Sequence, residues 1–209
     1  MHKSSLITAA TVGVVSLSVT VGARAQQPPK PAAAPTIAST MSRQLGIIEQ
    51  QFVAAAKAMP AEKYGFAPTV GNFAGVRTFA QEVKHVATIN YVFSSALLGE
   101  AAPAGVADNQ QMNGPDTVRT KEQIIAYLEA SFAFADRANA TLTADNANVV
   151  LDPSSKHAGV PSFLNTRLAL ASFTCAHVLD HYGQMVEYLR MNGIIPPASQ
   201  GQPAANPTG

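Results

Sequence analysis

Four stretches of this chain repeat apolar residues at every third or fourth position, and Pro- and Gly-rich breaks separate them. That spacing belongs to helices with one buried face, and no stretch shows the sustained alternation of a half-buried strand. In the first, roughly Thr36 to Ala58, Ile37, Met41, Leu45, Ile48, Phe52 and Ala56 fall on one stripe. "MPAEKYGFAPTVGN" then breaks the helix with Pro and Gly. A second helix is expected over about Thr78 to Leu98, with Phe79, Val83, Val86 and Phe93 in line, followed by a Gly/Pro/Asn-rich loop from Gly99 to Val118. The third, about Lys121 to Leu142, opens on Thr120 with Gln123 three residues on, a capping-box pattern. After a loop holding Asp152-Pro153 and His157, the fourth runs from about Ser162 to Asn192, stops at Gly193 and has prolines just beyond. Four long amphipathic helices in a single short domain predict an all-α fold, a four-helix bundle.

The N-terminus follows a different logic. Lys3 precedes an apolar run from Leu6 to about Gly22, and Ala23-Arg24-Ala25 is a small-x-small cleavage signal ahead of Gln26. The run approaches the ~18 apolar residues of a membrane span, but its Ser and Thr content and the cleavage signal favour removal. Residues 1–25 are therefore expected to be a signal peptide and the mature protein exported, to a periplasm or the medium. Residues 26–35 (QQPPKPAAAP) form a Pro/Ala-rich linker, 36–198 the bundle, and 199–209 a flexible tail. Cleavage removes two of the 14 basic residues and none of the 13 acids, turning the formal charge from +1 to −1. No basic patch remains, so no nucleic-acid partner is expected. No second long apolar run follows the signal, so no stable membrane span is expected after cleavage. Cys175 is the only cysteine, which excludes an internal disulfide and leaves it as a small buried hydrophobe.

Five histidines remain to be placed. His2 falls in the signal, and His157 sits beside Lys156 and close to Gly159 in a loop, where solvent exposure is expected. His177 and His181 lie four residues apart, so their side chains leave one helical face a turn apart, the spacing at which two imidazoles can share a metal ion. Gln184 and Tyr188 continue that face. A third donor must come from elsewhere, and His85, mid-helix among apolar residues, is the candidate. Spacing alone leaves two readings open: a metal site, or core histidines with no ligand role. Asn139-Ala140-Thr141 fits a glycosylation sequon but falls in a helix, where chance is the simpler account.

The segment "MPAEKYGFAPTVGNFAGVRTFAQEVKHVATINYVFSSALLG", with "HVLDHYGQMVEYLRMNGIIPP" far downstream, resembles the DinB family of four-helix bundles, the damage-inducible metal-binding family. The resemblance spans about residues 40–198. It is carried by the Met-Pro-x-x-Lys-x-x-x-x-Pro lead into the second helix, by His85, and by H-x-x-x-H-x-G-Q with Y-L-R-x-N-G-x-x-P-P. It implies that His85, His177 and His181 bind one divalent metal, with His85 arriving from a helix packed beside the fourth. Gln184 matches a recurring glutamine of that family, either near metal-bound water or packed. The expected cofactor is zinc, with nickel or iron as alternatives, since imidazole suits all three.

Three neutral nitrogens leave coordination positions open, as reactive rather than closed structural sites do. Two classes of function follow. One is a metal-dependent transferase or hydrolase acting on a small-molecule substrate. Some relatives resemble thiol-dependent transferases, but export argues against a cytosolic thiol cofactor, and Cys175 lies about 200° around the helix from His177. "HVLDH" has the outline of an inverted zinc-peptidase motif, with Asp180 in place of the catalytic Glu. The other class is a metal- or ligand-binding bundle without turnover. A homodimer is compatible with either.

Overall fold

The computed structural model describes residues 33–106, 111–152 and 160–201. The expected signal peptide, His157 and most of the C-terminal tail lie outside the described residues. Within them are four α-helices: α1 (Ile37–Ala58), α2 (Phe79–Leu98), α3 (Lys121–Asn139) and α4 (Arg167–Met191). No strand occurs among the described residues; an isolated bridge joins Val150 to Thr166. The expected all-α four-helix bundle is what the chain forms.

Each helix begins on a threonine. Thr36, Thr78 and Thr120 form reciprocal capping boxes with Ser39, Gln81 and Gln123, and the Thr166 hydroxyl accepts from Ala169 N. These bonds satisfy amides that have no partner inside the helix. The end of α4 closes with Gly193 N–H donating to Arg190 O and Ile194 N–H to Leu189 O, while Gly193 turns left-handed at φ 74°. That is the Schellman arrangement.

Two helices are shorter than expected. α4 starts at Arg167 rather than near Ser162, because Leu151 N–H donates to Asn165 O and Leu168 N–H to Ala147 O. Those bonds hold the preceding residues against 147–151, so the cap forms at Thr166. α3 ends at Asn139 rather than Leu142, where Thr141 and Leu142 donate to carbonyls three residues back. Asn139 is buried at 4% exposure, which removes it as a glycan acceptor.

α1 packs on α3 and α4, and α2 packs on the same two helices, so α1 and α2 face each other diagonally. Phe52, Phe79, Phe132, Leu128, Leu170 and Met185 fill the space between them with almost no exposure. Each such side chain contributes about 1.5–3 kcal/mol by leaving water. The α1–α2 connection is pinned rather than loose. Tyr64 donates its hydroxyl to Ala56 O, and Phe79 and Ala80 donate their amides to Phe66 O and Tyr64 O. Lys121 caps the end of α1 through Lys57 O and Met59 O, and Lys63 reaches Asn192 O at the end of α4. The Met-Pro-x-x-Lys segment and the Asn-Gly stop, far apart in sequence, thus meet. No described helix is long and apolar enough to cross a membrane.

Candidate metal centre

His85 leaves α2 toward α4, and His177 and His181 leave α4 toward α2, so the three rings meet where these helices pack. His177 Nε2 lies 3.3 Å from His85 Nε2 and 3.1 Å from His181 Nε2. One nitrogen from each ring falls within 4.8 Å of the others. An ion about 2.0–2.1 Å from each of two nitrogens, at near-tetrahedral angles, sets them roughly 3.3 Å apart. The donor set fits a small divalent cation.

The far sides of the rings decide what the near sides present. His85 Nδ1 is 3.0 Å from Met112 O, and His181 Nδ1 is 2.5 Å from Glu82 Oε2. A carbonyl and a carboxylate only accept, so each Nδ1 carries the proton and donates it. In the neutral rings both Nε2 atoms are then bare lone pairs aimed at one point. Two lone pairs so opposed repel each other unless a cation or a donor lies between them.

The surroundings favour the neutral form of His85 and His177. Burial first, then the Arg77 guanidinium and the His181 ring, push His85 down to about 4, against the opposing pull of Met112 O and Glu82. Burial, then the His181 and His85 rings and Arg77, push His177 down to about 3. Neutral imidazole is the metal-binding form.

Other residues singled out by the sequence fall into place. Gln184 is exposed and donates to Asp180 Oδ2 at 3.2 Å, on the solvent side of α4. Tyr188 is buried and donates its hydroxyl to Arg77 O. Cys175 is 1% exposed and its thiol is pushed up to about 11 by burial, the behaviour of a small core residue. Along α4 the edge of Phe93 faces His177 at 6.3 Å between centroids, and Phe173 and Phe163 continue the aromatic run outward.

Sequence reasoning missed Glu82, Met112 and Arg77. Glu82 had a signal: a carboxylate three residues before His85, on an otherwise apolar face, is fully buried at 2% exposure. Met112 and Arg77 had none, since a loop brings them to the rings only in the folded chain.

A four-helix bundle with three imidazoles converging inside it, in reach of one ion, belongs architecturally among the bundles that build metal sites from facing helices. The family model of the DinB superfamily matches residues 44–185, which include all three histidines, and the chain belongs to that superfamily. Comparison with curated proteins gives no match.

Proposed function

We propose that the mature, exported protein holds a divalent cation, zinc foremost with nickel or iron as alternatives, on His85, His177 and His181. It presents the open coordination positions to a small-molecule substrate as a metal-dependent transferase or hydrolase. The carrying observation is the pair of Nδ1–H donors fixed by Met112 O and Glu82, which turns two lone pairs onto one point. When bound, the ion supplies Lewis acidity and lowers the pKa of what it ligates. The chain's own part is to orient the rings, keep His85 and His177 neutral and shield the rings within the bundle. Export rests on the signal-peptide pattern of residues 1–25.

The second reading, metal or ligand binding without turnover, has an observation in its favour. Glu82 is committed to His181, and Asp180 is exposed and bonded to Gln184. Neither is placed as a general base, which weighs against the inverted-peptidase mechanism in particular.

Metal analysis of the purified mature protein tests the centre. His85→Ala, His177→Ala and His181→Ala should each lower bound metal well below one equivalent, and His157→Ala should not. Full occupancy in the three variants would remove the proposal. A screen of thiols with electrophiles then separates the readings: turnover abolished by chelation supports an enzyme, and bound metal without turnover supports the binding bundle.

A further inference from the structure

Arg77 lies just before α2, half-buried, and is held by neutral groups alone. Its Nε donates to Asn113 Oδ1 at 2.8 Å and one terminal nitrogen to Gln111 O at 3.1 Å. None of the ion pairs among the described residues includes it. Residues 111 and 113, which hold the guanidinium, flank Met112, whose carbonyl takes the His85 proton. One short segment therefore grips the arginine and a ring of the triad together. Met112 is also the only described non-glycine residue with a left-handed backbone, at φ 54°. Such conformations persist where the surroundings enforce them and cluster at functional sites.

The guanidinium lines a surface cleft of about 370 Å³ with Gln81, Gln111, Asn113, Gly75 and Val76. Among the described residues, the cleft lining contains amides and one cation, and no acid. Among the described residues, hydrogen bonds engage two of the five guanidinium N–H groups, which leaves three for an end-on bidentate bond to an oxyanion. The nearby cation Lys84 is occupied by Pro115 O. Arg77 is the one cation among the described residues that line the cleft, and one positive charge there matches a monoanion.

Resting on the metal reading, charge bookkeeping points the same way. A divalent ion on three neutral rings, with Glu82 as the only carboxylate bonded to the triad among the described residues, already leaves an excess of positive charge, and Arg77 adds to it. We propose that Arg77 anchors the carboxylate of a small ligand whose other end reaches the metal. The substrate class is then a carboxylate carrying a second, metal-binding group.

The test compares two probes on the zinc-loaded protein by calorimetry: acetohydroxamate, and succinic monohydroxamate, which adds a carboxylate. A charge-assisted bidentate bond corresponds to a preference of at least about tenfold for the second probe. Arg77→Gln, compared with the wild type at equal zinc occupancy, should erase the preference between the two probes. No preference in the wild type, or a preference that survives in Arg77→Gln, overturns the proposal. If Arg77→Gln lowers the melting temperature, Arg77→Lys replaces it: a reduced preference supports the fork and an unchanged one overturns it. If the wild type takes up no zinc, the metal reading fails by itself. Glutarate titrated onto the metal-free protein then decides, since NMR shifts at Arg77 Nε–H sustain the anchor and their absence refutes it.

Discussion

Glu82→Gln tests whether the buried carboxylate works through His181. Glutamine keeps an acceptor oxygen and nearly the same volume, so the packing around a 2% exposed side chain is preserved. What it removes is the negative charge 2.5 Å from His181 Nδ1. That charge makes the ring a better donor on its other nitrogen and compensates part of a bound cation. Losses of this kind cost ~10–100-fold in metal affinity, or about 1.4 to 2.7 kcal/mol. Because Glu82 is enclosed, solvent screens little of its effect, which places the expected loss toward the upper half of that range. The measurement is zinc affinity at pH 7.5 by competition with a chromogenic chelator, alongside the melting temperature of the metal-free protein. Glu82→Ala provides the contrast, since it also leaves Nδ1–H without an acceptor and should destabilise even the metal-free fold, by about 1–3 kcal/mol. Zinc affinity in Glu82→Gln within twofold of wild type would refute the coupling of Glu82 to the centre.

Further expectations concern pH, backbone geometry and processing. His85 and His177 are depressed from 6.5 to about 4 and about 3 in the fold, so the unfolded chain binds more protons over that interval. Their contribution to metal-free stability is therefore complete above about pH 6.5 and is lost as pH falls through the two folded values; a His85→Gln/His177→Gln variant that melts with the same pH dependence as wild type would contradict this. Gly114→Ala and Gly193→Ala impose the same left-handed penalty, about 1–2 kcal/mol, but a Cβ at Gly114 would also meet Thr88 Oγ1 at 3.1 Å, Tyr127 Cε1 at 3.2 Å and Lys84 Cε at 3.3 Å, whereas one at Gly193 meets nothing. Gly114→Ala should thus melt lower than Gly193→Ala and alone weaken zinc binding, by displacing Met112 O from His85; equal melting temperatures and zinc affinities would count against that view of the loop. N-terminal sequencing of protein from an extracytoplasmic fraction should begin at Gln26, and an intact Met1 in the cytosol would remove the export proposal.

The sequence revealed what periodic patterns and local chemistry can carry, and lost what depends on contacts between distant segments. The stripe Met41, Leu45, Ile48 and Phe52 announces a helix because its spacing is a property of the chain itself, and the observed burial follows it. The start of α4 went unread for the opposite reason. Residues 162–166 carry no local bar to a helix, but Ala147 and Leu151 claim Leu168 N–H and Asn165 O from another part of the chain. The same divide runs through the centre. His177 and His181 announce themselves by a four-residue spacing on one helix, while their relation to His85 depends on two helices packing side by side.

Glu82 shows where sequence reading can be improved in a chain of this kind. A helical stripe is usually read for its apolar members, and an acid within it is taken for an interruption. Yet burying a carboxylate without partners is costly, so an acid on an apolar face three residues from a histidine implies a donor waiting opposite. Applied to α2, that logic calls for an N–H from the helix packed against it, and His181 Nδ1 supplies one. The proton so used fixes which nitrogen of His181 faces inward, just as Met112 O does for His85. Removing either acceptor therefore changes the donor set itself, and not merely its packing. A misplaced acid in a helical pattern can thus mark a centre as surely as the ligands beside it.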